Sequence, residues 1–332
     1  MQQSGTALEK REFTIDMAVY EWLAAKERTG SKRTRGEYEN TMRDFRLFLS
    51  TGRMDLLNNP IDIARLAGLW ASQRNVKGSE RHPQKPVSAS TYNLRLATLS
   101  SWYVYVQTTY KLDIPNPITD VPKRRVQPYE NAVALEVETV EQGLGDIDRD
   151  TLQGLRDYAL LTVALATGRR ASEIAGLRWQ DVQIVGSNRN KRAILTFHCK
   201  GNKTARNRLD EEQSAIFLEY LYAQHGKRLF KLTGDAPVWV SYSRQNKGQA
   251  ISTKTLSNIC ATYLGTSKFH ATRHTFVVGE VRSGAPLTDI ANHIGHTDIR
   301  VTQLYTNEVT KEDNPYSEKL TARFGFKRKG RK

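Results

Sequence analysis

Ala166-Thr167-Gly168-Arg169-Arg170-Ala171-Ser172-Glu173-Ile174-Ala175-Gly176-Leu177-Arg178-Trp179 is the stretch on which the reading of this 332-residue chain turns. Before it, residues 155–167 form a strongly apolar run with the length of a buried helix. Gly168 closes that helix, because glycine reaches the left-handed conformation that a helix C-terminus favours. Arg170 then stands where the next helix begins, with Glu173 one turn later. A guanidinium at a helix N-terminus adds its donors to unpaired backbone N–H groups, and together they suit a phosphate. By itself the turn is equally a helix junction with a solvated arginine.

Downstream the pattern becomes mixed. Residues 182–185 and 193–197 run apolar or alternate as strands do, and the turn-rich residues 186–191 join them in a basic hairpin. The second run leads into Cys199-Lys200-Gly201-Asn202-Lys203. A lysine on a tight β-turn can reach into a groove as a point charge and proton donor; a cationic surface hairpin has the same sequence. Residues 209–224 read as a helix, and helices resume from residue 253. His270 and Arg273 stand three apart, so on a helix they share a face and can touch one phosphate. A histidine at a helix start beside a surface arginine would look the same. Gly295 closes the apolar set Leu287, Ile290 and Ile294 and leaves His296 at a helix terminus, as a site residue or as a cap. Tyr305 follows in Gln303-Leu304-Tyr305-Thr306, where a tyrosine on an amphipathic helix is ordinarily core.

Upstream the first hundred residues read as helices alone. Tyr38, Met42, Phe45 and Leu49 step by four, three and four, and Gly52 supplies a stop. Tyr92, Leu96, Leu99 and Tyr103 repeat the steps behind Ser88 and Ser90. Ile15, Val19 and Trp22 behind Thr14, and Ile63, Leu66 and Trp70, suggest two more helices. Residues 1–112 are therefore expected to form an all-helical domain. Residues 113–131 carry Pro115, Pro117, Pro122 and Pro128 around Lys123, Arg124 and Arg125, and are expected to be an extended basic linker that also touches phosphate. Residues 132–332 form the second domain and end in a basic tail, residues 323–332.

The balance of charge points outward. Lys and Arg number 50 against 35 Asp and Glu, a net +15, and such an excess draws in polyanions, of which nucleic acid is the commonest. The two cysteines, Cys199 and Cys260, form no CxxC pair, so neither a zinc site nor a disulfide framework is indicated. Residues 1–10 lack the apolar core of a signal peptide, and the longest apolar stretch, 158–166, is too short for a bilayer. A cytoplasmic protein with no membrane partner is expected.

Taken in order, Thr167-Gly168-x-Arg170-x-Ser172-Glu173, Lys200-Gly201-x-Lys203, His270-x-x-Arg273-His274-Thr275, Gly295-His296 and Tyr305-Thr306 resemble the tyrosine recombinase family, which includes phage integrases, Xer resolvases and Cre-like enzymes. Each motif is weak alone; five in one order are specific. The resemblance implies a mainly α, two-domain fold: a helical SAM-like core-binding domain, then a mixed α+β, mostly helical catalytic domain whose small antiparallel sheet carries Lys200. It implies that Tyr305 attacks a DNA phosphodiester to form a 3′-phosphotyrosine and free a 5′-hydroxyl. Arg170 and Arg273 would clamp the non-bridging oxygens, His270 and His296 would bond the phosphate or manage the tyrosine proton, and Lys200 would protonate the leaving oxygen, with Lys203 the weaker candidate. Glu173 matches an acidic position that braces the site, and Arg169 fills a slot usually apolar in the family, so the choice of Arg170 over Arg169 rests on spacing and Arg169→Ala is expected to do much less.

Fixed cations can stabilise the charge of a phosphoryl transition state, so the resemblance implies no metal and no cofactor. The covalent link stores the bond energy, and no ATP motif is present. The implied partners are double-stranded DNA carrying core sites and three further copies of the chain, a homotetramer on two sites, with residues 307–326 docking on a neighbour. Larger phage integrases add an N-terminal arm-binding domain; here the first helical pattern begins near Phe13, so recognition of short core repeats alone is expected. The alternatives are a type IB topoisomerase-like enzyme and a catalytically idle DNA-binding protein of the same fold.

Overall fold

The computed structural model describes residues 13–30, 32–73, 86–126, 134–187, 190–199, 201, 203–295 and 303. The chain divides into two compact units, Met1–Gln127 and Pro128–Lys332.

Among its described residues the first unit is built from α1 (Ile15–Thr29), α2 (Lys32–Ser50), α3 (Pro60–Ser72) and α4 (Ala89–Thr109). Their starts are written in the sequence. Thr14 Oγ1 accepts from the Met17 N–H at 3.2 Å, Asn59 Oδ1 from Ile61 at 2.9 Å, and Ser88 Oγ from Thr91 at 3.1 Å. Met42, Phe45 and Leu49 of α2 and Tyr92, Leu96, Leu99 and Tyr103 of α4 are buried around Trp22, Trp70 and Trp102, the faces that the periodicity marks. Arg95 is buried with them because it finishes α3: its Nη1 donates to the Ala71 carbonyl at 2.9 Å, at a helix end whose last carbonyls lack intrahelical donors.

Residues 113–121, expected to open a linker, instead pack on this unit. Asn116 Oδ1 accepts from the Ile118 N–H at 3.2 Å, a 3₁₀ turn follows over Pro117–Asp120, and Ile118 and Val121 enter the core. Proline suits the start of such a turn as well as it suits an extended chain. The two apolar residues decide between them.

The second unit contains α5 (Val137–Gly145), α6 (Leu152–Thr167), α7 (Ala171–Ala175), the strands β1 (Val182–Val185), β2 (Arg192–Cys199) and β3 (Lys203–Arg208), then α8 (Glu211–His225), α9 (Thr253–Tyr263), α10 (His270–Arg282) and α11 (Leu287–Ile294). α6 runs through the core, with Ala159, Leu160, Leu161, Val163 and Ala164 wholly buried. The sheet is antiparallel in the order β1-β2-β3. Ala193, Leu195 and Phe197 of β2 alternate into the core, so one face of the sheet is covered and the other is not. β3 is a strand that its sequence does not announce: Lys203-Thr204-Ala205-Arg206-Asn207-Arg208 has no apolar alternation, and pairing with β2 makes it one. A separate cluster of Val277, Val278, Ile290 and Ile294 joins α11 to α10. Among the described residues no helix is long and apolar enough to cross a membrane.

Candidate active site

Two turns separated widely in sequence make the site. The first is the α6–α7 junction. Gly168 caps α6 at φ 60° and ψ 23°, and its N–H donates to the Ala164 carbonyl at 3.0 Å. That left-handed residue redirects the chain within one step, so that Arg170 becomes the N-cap of α7. Glu173 folds back on it: Oε2 accepts from the Arg170 N–H and Oε1 from Arg170 Nη1, both at 3.0 Å. The Glu173 side chain is 3% exposed and that of Arg170 39%, so the carboxylate is the buried anchor and the guanidinium the part that reaches solvent.

The second turn is the start of α10, which carries His270 at its first position and Arg273 one turn later. Arg273 is buried. Its Nη1 donates to the Gly168 carbonyl at 2.9 Å and its Nη2 to the Ile294 carbonyl, the last of α11, at 2.8 Å. One side chain therefore ties the α6–α7 turn, α10 and the end of α11 together. The His270 ring meets that of His274 edge to face, with centroids 4.6 Å apart. His270 keeps an exposed face, yet the desolvation of its ring, and then the positive charges of Arg273 and Arg170, lower its pKa below the ordinary histidine value. Arg170, Arg273 and His270 thus share one electrostatic neighbourhood.

The end of β2 arrives at the same place. Burial raises the pKa of the Cys199 thiol, Glu173 raises it further, and Arg169 and Arg170 oppose, so the residue before Lys200 lies against the α6–α7 turn. Cys199 pairs in register with Lys203, which is exposed, and Gly201 between them takes φ 80° as a tight hairpin requires. Lys200, His296 and Tyr305 lie outside the described residues, as do the proposed docking segment 307–326, the tail 323–332, residues 1–12 and part of the basic hairpin 186–191. What the structure brings together is Arg170, Glu173, His270 and Arg273, with the chain entering residues 200 and 296 from Cys199 and Gly295. Among the described residues no group of three His, Cys, Asp or Glu could hold a metal ion.

Lys123, Arg124 and Arg125 belong to the first unit and are exposed, but Arg124 is engaged there. Its guanidinium lies 4.1 Å over the Tyr92 ring and donates to Ser72 Oγ at 2.8 Å, while its backbone exchanges hydrogen bonds with the Asn93 side chain. Sequence reasoning also missed a buried polar set. Arg169 is 2% exposed and bonds Asn207 and the His293 carbonyl. An arginine in a slot expected to be apolar was the signal; its partners, one on an unrecognised strand, were not legible.

Residues 135–312 match the phage integrase family. Tyrosine recombinase XerD of Neisseria meningitidis serogroup B is 29% identical over 194 residues, 57% of this chain and 64% of that protein, so the alignment spans less than two thirds of the relative. Among solved structures, the XerH site-specific recombinase bound to palindromic difH substrate in a post-cleavage complex aligns with a TM-score of 0.62 at 16% identity, over 97% of this chain and 92% of that one. A lambda integrase tetramer bound to a Holliday junction aligns with a TM-score of 0.59 at 12% identity, over 89% and 78%. These structures share the fold: an N-terminal helical part and a mixed catalytic part with a small antiparallel sheet.

Proposed function

The chain belongs to the phage integrase family of tyrosine recombinases, enzymes that cleave and rejoin DNA at specific sites through a phosphotyrosine intermediate, and on that premise we propose how its own residues perform the reaction. Tyr305 Oη attacks the phosphorus, the bond to the 5′-oxygen breaks, and the strand is held as a 3′-phosphotyrosine until a 5′-hydroxyl reverses the step. Arg170 and Arg273 hold the non-bridging oxygens, where charge gathers in the transition state. Lys200 gives its proton to the leaving 5′-oxygen. His270, held neutral by its surroundings, and His296 bond the phosphate or take the phenol proton. Glu173 keeps Arg170 aimed.

The observation that carries this reading is the bond from Arg273 Nη1 to the Gly168 carbonyl at 2.9 Å, which sets the His-x-x-Arg helix against the turn that presents Arg170. The first unit, Met1–Gln127, forms the half that grips core DNA, in the manner of a SAM-like domain, and its exposed Lys123 and Arg125 and the hairpin Lys203 add phosphate contacts. Residues 132–332 perform the chemistry. The partners are duplex DNA and three further copies of the chain, with residues 307–326 docking on a neighbour. Such an enzyme works in the cytoplasm, where the DNA of a prokaryote or mobile element lies. Incubation with duplex DNA and analysis under denaturing conditions tests the proposal: a protease-sensitive covalent adduct mapping to Tyr305 is expected. No adduct, or relaxation of supercoils by a monomer without strand exchange, overturns it.

A further inference from the structure

The turn that presents Arg170 begins with a second arginine, and that side chain goes inward. Arg169 Nε donates to Asn207 Oδ1 of β3 at 2.8 Å, and its Nη2 donates to the His293 carbonyl of α11 at 2.6 Å. Arg169 and Asn207 sit where an apolar side chain would fill the space as well, being 2% and 5% exposed, and His293 is half-buried beside them. Burying an arginine is unfavourable unless its donors are matched; here Nε and Nη2 are matched and Nη1 has no hydrogen-bond partner among the described residues, so a charge kept at this cost has a use that volume alone does not explain.

The bonding pattern fixes a proton. Arg169 claims Asn207 Oδ1, so the amide nitrogen must face the other way, where His293 Nε2 lies 2.9 Å distant. An amide nitrogen only donates, which requires Nε2 to accept and leaves His293 neutral with its hydrogen on Nδ1. The Thr167 carbonyl, at the end of α6, stands 3.2 Å from the same Nε2. A proton arriving on Nε2 therefore turns the ring's bond from Asn207 to Thr167. The ring is held in plane by Phe276, at 5.0 Å and 23°, and the charged groups facing it are Arg169 and Arg273. Burial first, and then those two cations, lower the His293 pKa, in keeping with the neutral form.

We propose that Arg169, Asn207 and His293 are positioning residues: a buried brace that registers the end of α11, from which the chain enters His296, against the α6–α7 turn that presents Arg170. Arg169 holds the His293 carbonyl and Arg273 the Ile294 carbonyl, so two adjacent carbonyls at the end of α11 each rest on a guanidinium. Closing this brace holds the end of α11 against the turn that presents Arg170; protonating His293 releases its β3 arm.

The inference rests on the recombinase reading, and its test separates the two. The probe is a nicked duplex cut from the fragment of host genomic DNA that the protein protects. Single-turnover adduct formation and DNA affinity are measured between pH 8 and pH 6 for the wild type, Arg169→Met and Asn207→Asp. Arg169→Met should cleave about a hundredfold more slowly at saturating DNA with affinity nearly unchanged, as expected of misplaced groups. Asn207→Asp offers His293 a carboxylate oxygen, which welcomes a proton on Nε2 while still accepting from Arg169. Its rate should therefore fall less between pH 8 and pH 6 than that of the wild type. His270 titrates in both proteins, so the difference between the two profiles isolates His293. Superimposable pH profiles, or an Arg169→Met that cleaves at the wild-type rate, overturn the brace. If the wild type forms no adduct, the recombinase reading fails instead, and the brace is judged on thermal unfolding: Asn207→Asp must then lose less stability on acidification than the wild type, and equal losses refute it.

Discussion

Arg273 donates from Nη1 to the carbonyl of Gly168 at 2.9 Å, across 105 positions of sequence, and is buried while doing so; Arg170, two residues beyond Gly168, is not. Both arginines are proposed to hold the phosphate, and they differ in structural use. Arg273 gives two of its five N–H donors to the Gly168 and Ile294 carbonyls, whereas Arg170 gives its side chain to Glu173. Arg273→Ala leaves the carbonyls of Gly168 and Ile294 without that donor and should cost roughly 3 kcal/mol of stability, whereas Arg170→Ala should cost about 1 kcal/mol. Both should lower cleavage by roughly a hundredfold or more. Chemical denaturation beside a cleavage assay checks this; equal stability losses would contradict the assignment of Arg273 as a tie between three elements.

Tyr305→Phe removes one hydroxyl and no charge. DNA affinity should stay near the wild-type value, because most of it comes from phosphate contacts, while the covalent adduct disappears. Gel-shift and denaturing-gel assays on the same samples measure both. An adduct formed by the variant would move the nucleophile elsewhere, with Tyr316 the next candidate.

Lys200→Ala should be slow on ordinary DNA and recover when the leaving 5′-oxygen is replaced by sulfur, which departs without a proton. Lys203 is the internal control: it is exposed and pairs with Cys199 across the hairpin, so its own Ala variant should show no such rescue. Rescue of the Lys203 variant instead would transfer the acid role three residues along, to the first position of β3.

The helices of the first unit were legible because their buried faces recur at helical spacing and their caps are Ser, Thr and Asn, as Met42, Phe45 and Leu49 and the Ser88 cap illustrate. The α6–α7 turn was legible for a similar local reason, since Gly168 announces a left-handed cap. What could not be read depends on partners distant in sequence. β3 is polar and gains its form from pairing with β2, and residues 113–121 looked like linker until Ile118 and Val121 found a core. Arg169 looked idle because nothing local reveals that Asn207 and His293 come to meet it.

Stability should depend on pH in a definite direction. Burial lowers the pKa of His293 and His225, and desolvation lowers that of His270, with neighbouring arginines adding to each effect. The unfolded chain, with histidines near 6.5, then binds protons more readily than the folded one. The contribution of these groups is complete above about pH 6.5 and is lost as pH falls through their lowered folded values. Urea midpoints should be level between pH 8 and pH 7 and decline toward pH 5.5. A midpoint that holds or rises on acidification would mean that these rings are protonated in the native state.

Gly168 itself gives the most stringent test of the site's architecture. At φ 60° an alanine is strained by about 1 kcal/mol from backbone conformation alone. Its Cβ would also stand 2.5 Å from Cδ1 and 2.9 Å from Cγ of Phe276, far inside contact distance. Phe276 cannot step aside freely, because its ring is stacked on His293 at 5.0 Å, so relief of the clash must loosen the end of α11 or move the turn. Gly168→Ala should therefore cost roughly 3 kcal/mol, the overpacking adding to the strain, and should depress cleavage through displacement of the carbonyl that Arg273 holds. The two terms separate in a double-mutant cycle. In a Phe276→Ala background the clash is gone and the left-handed strain stays, so the added cost of Gly168→Ala should fall to about 1 kcal/mol. An unchanged cost in both backgrounds would mean that the glycine is required only for its backbone angle, and that the packing of α10 against the turn leaves room which these distances deny.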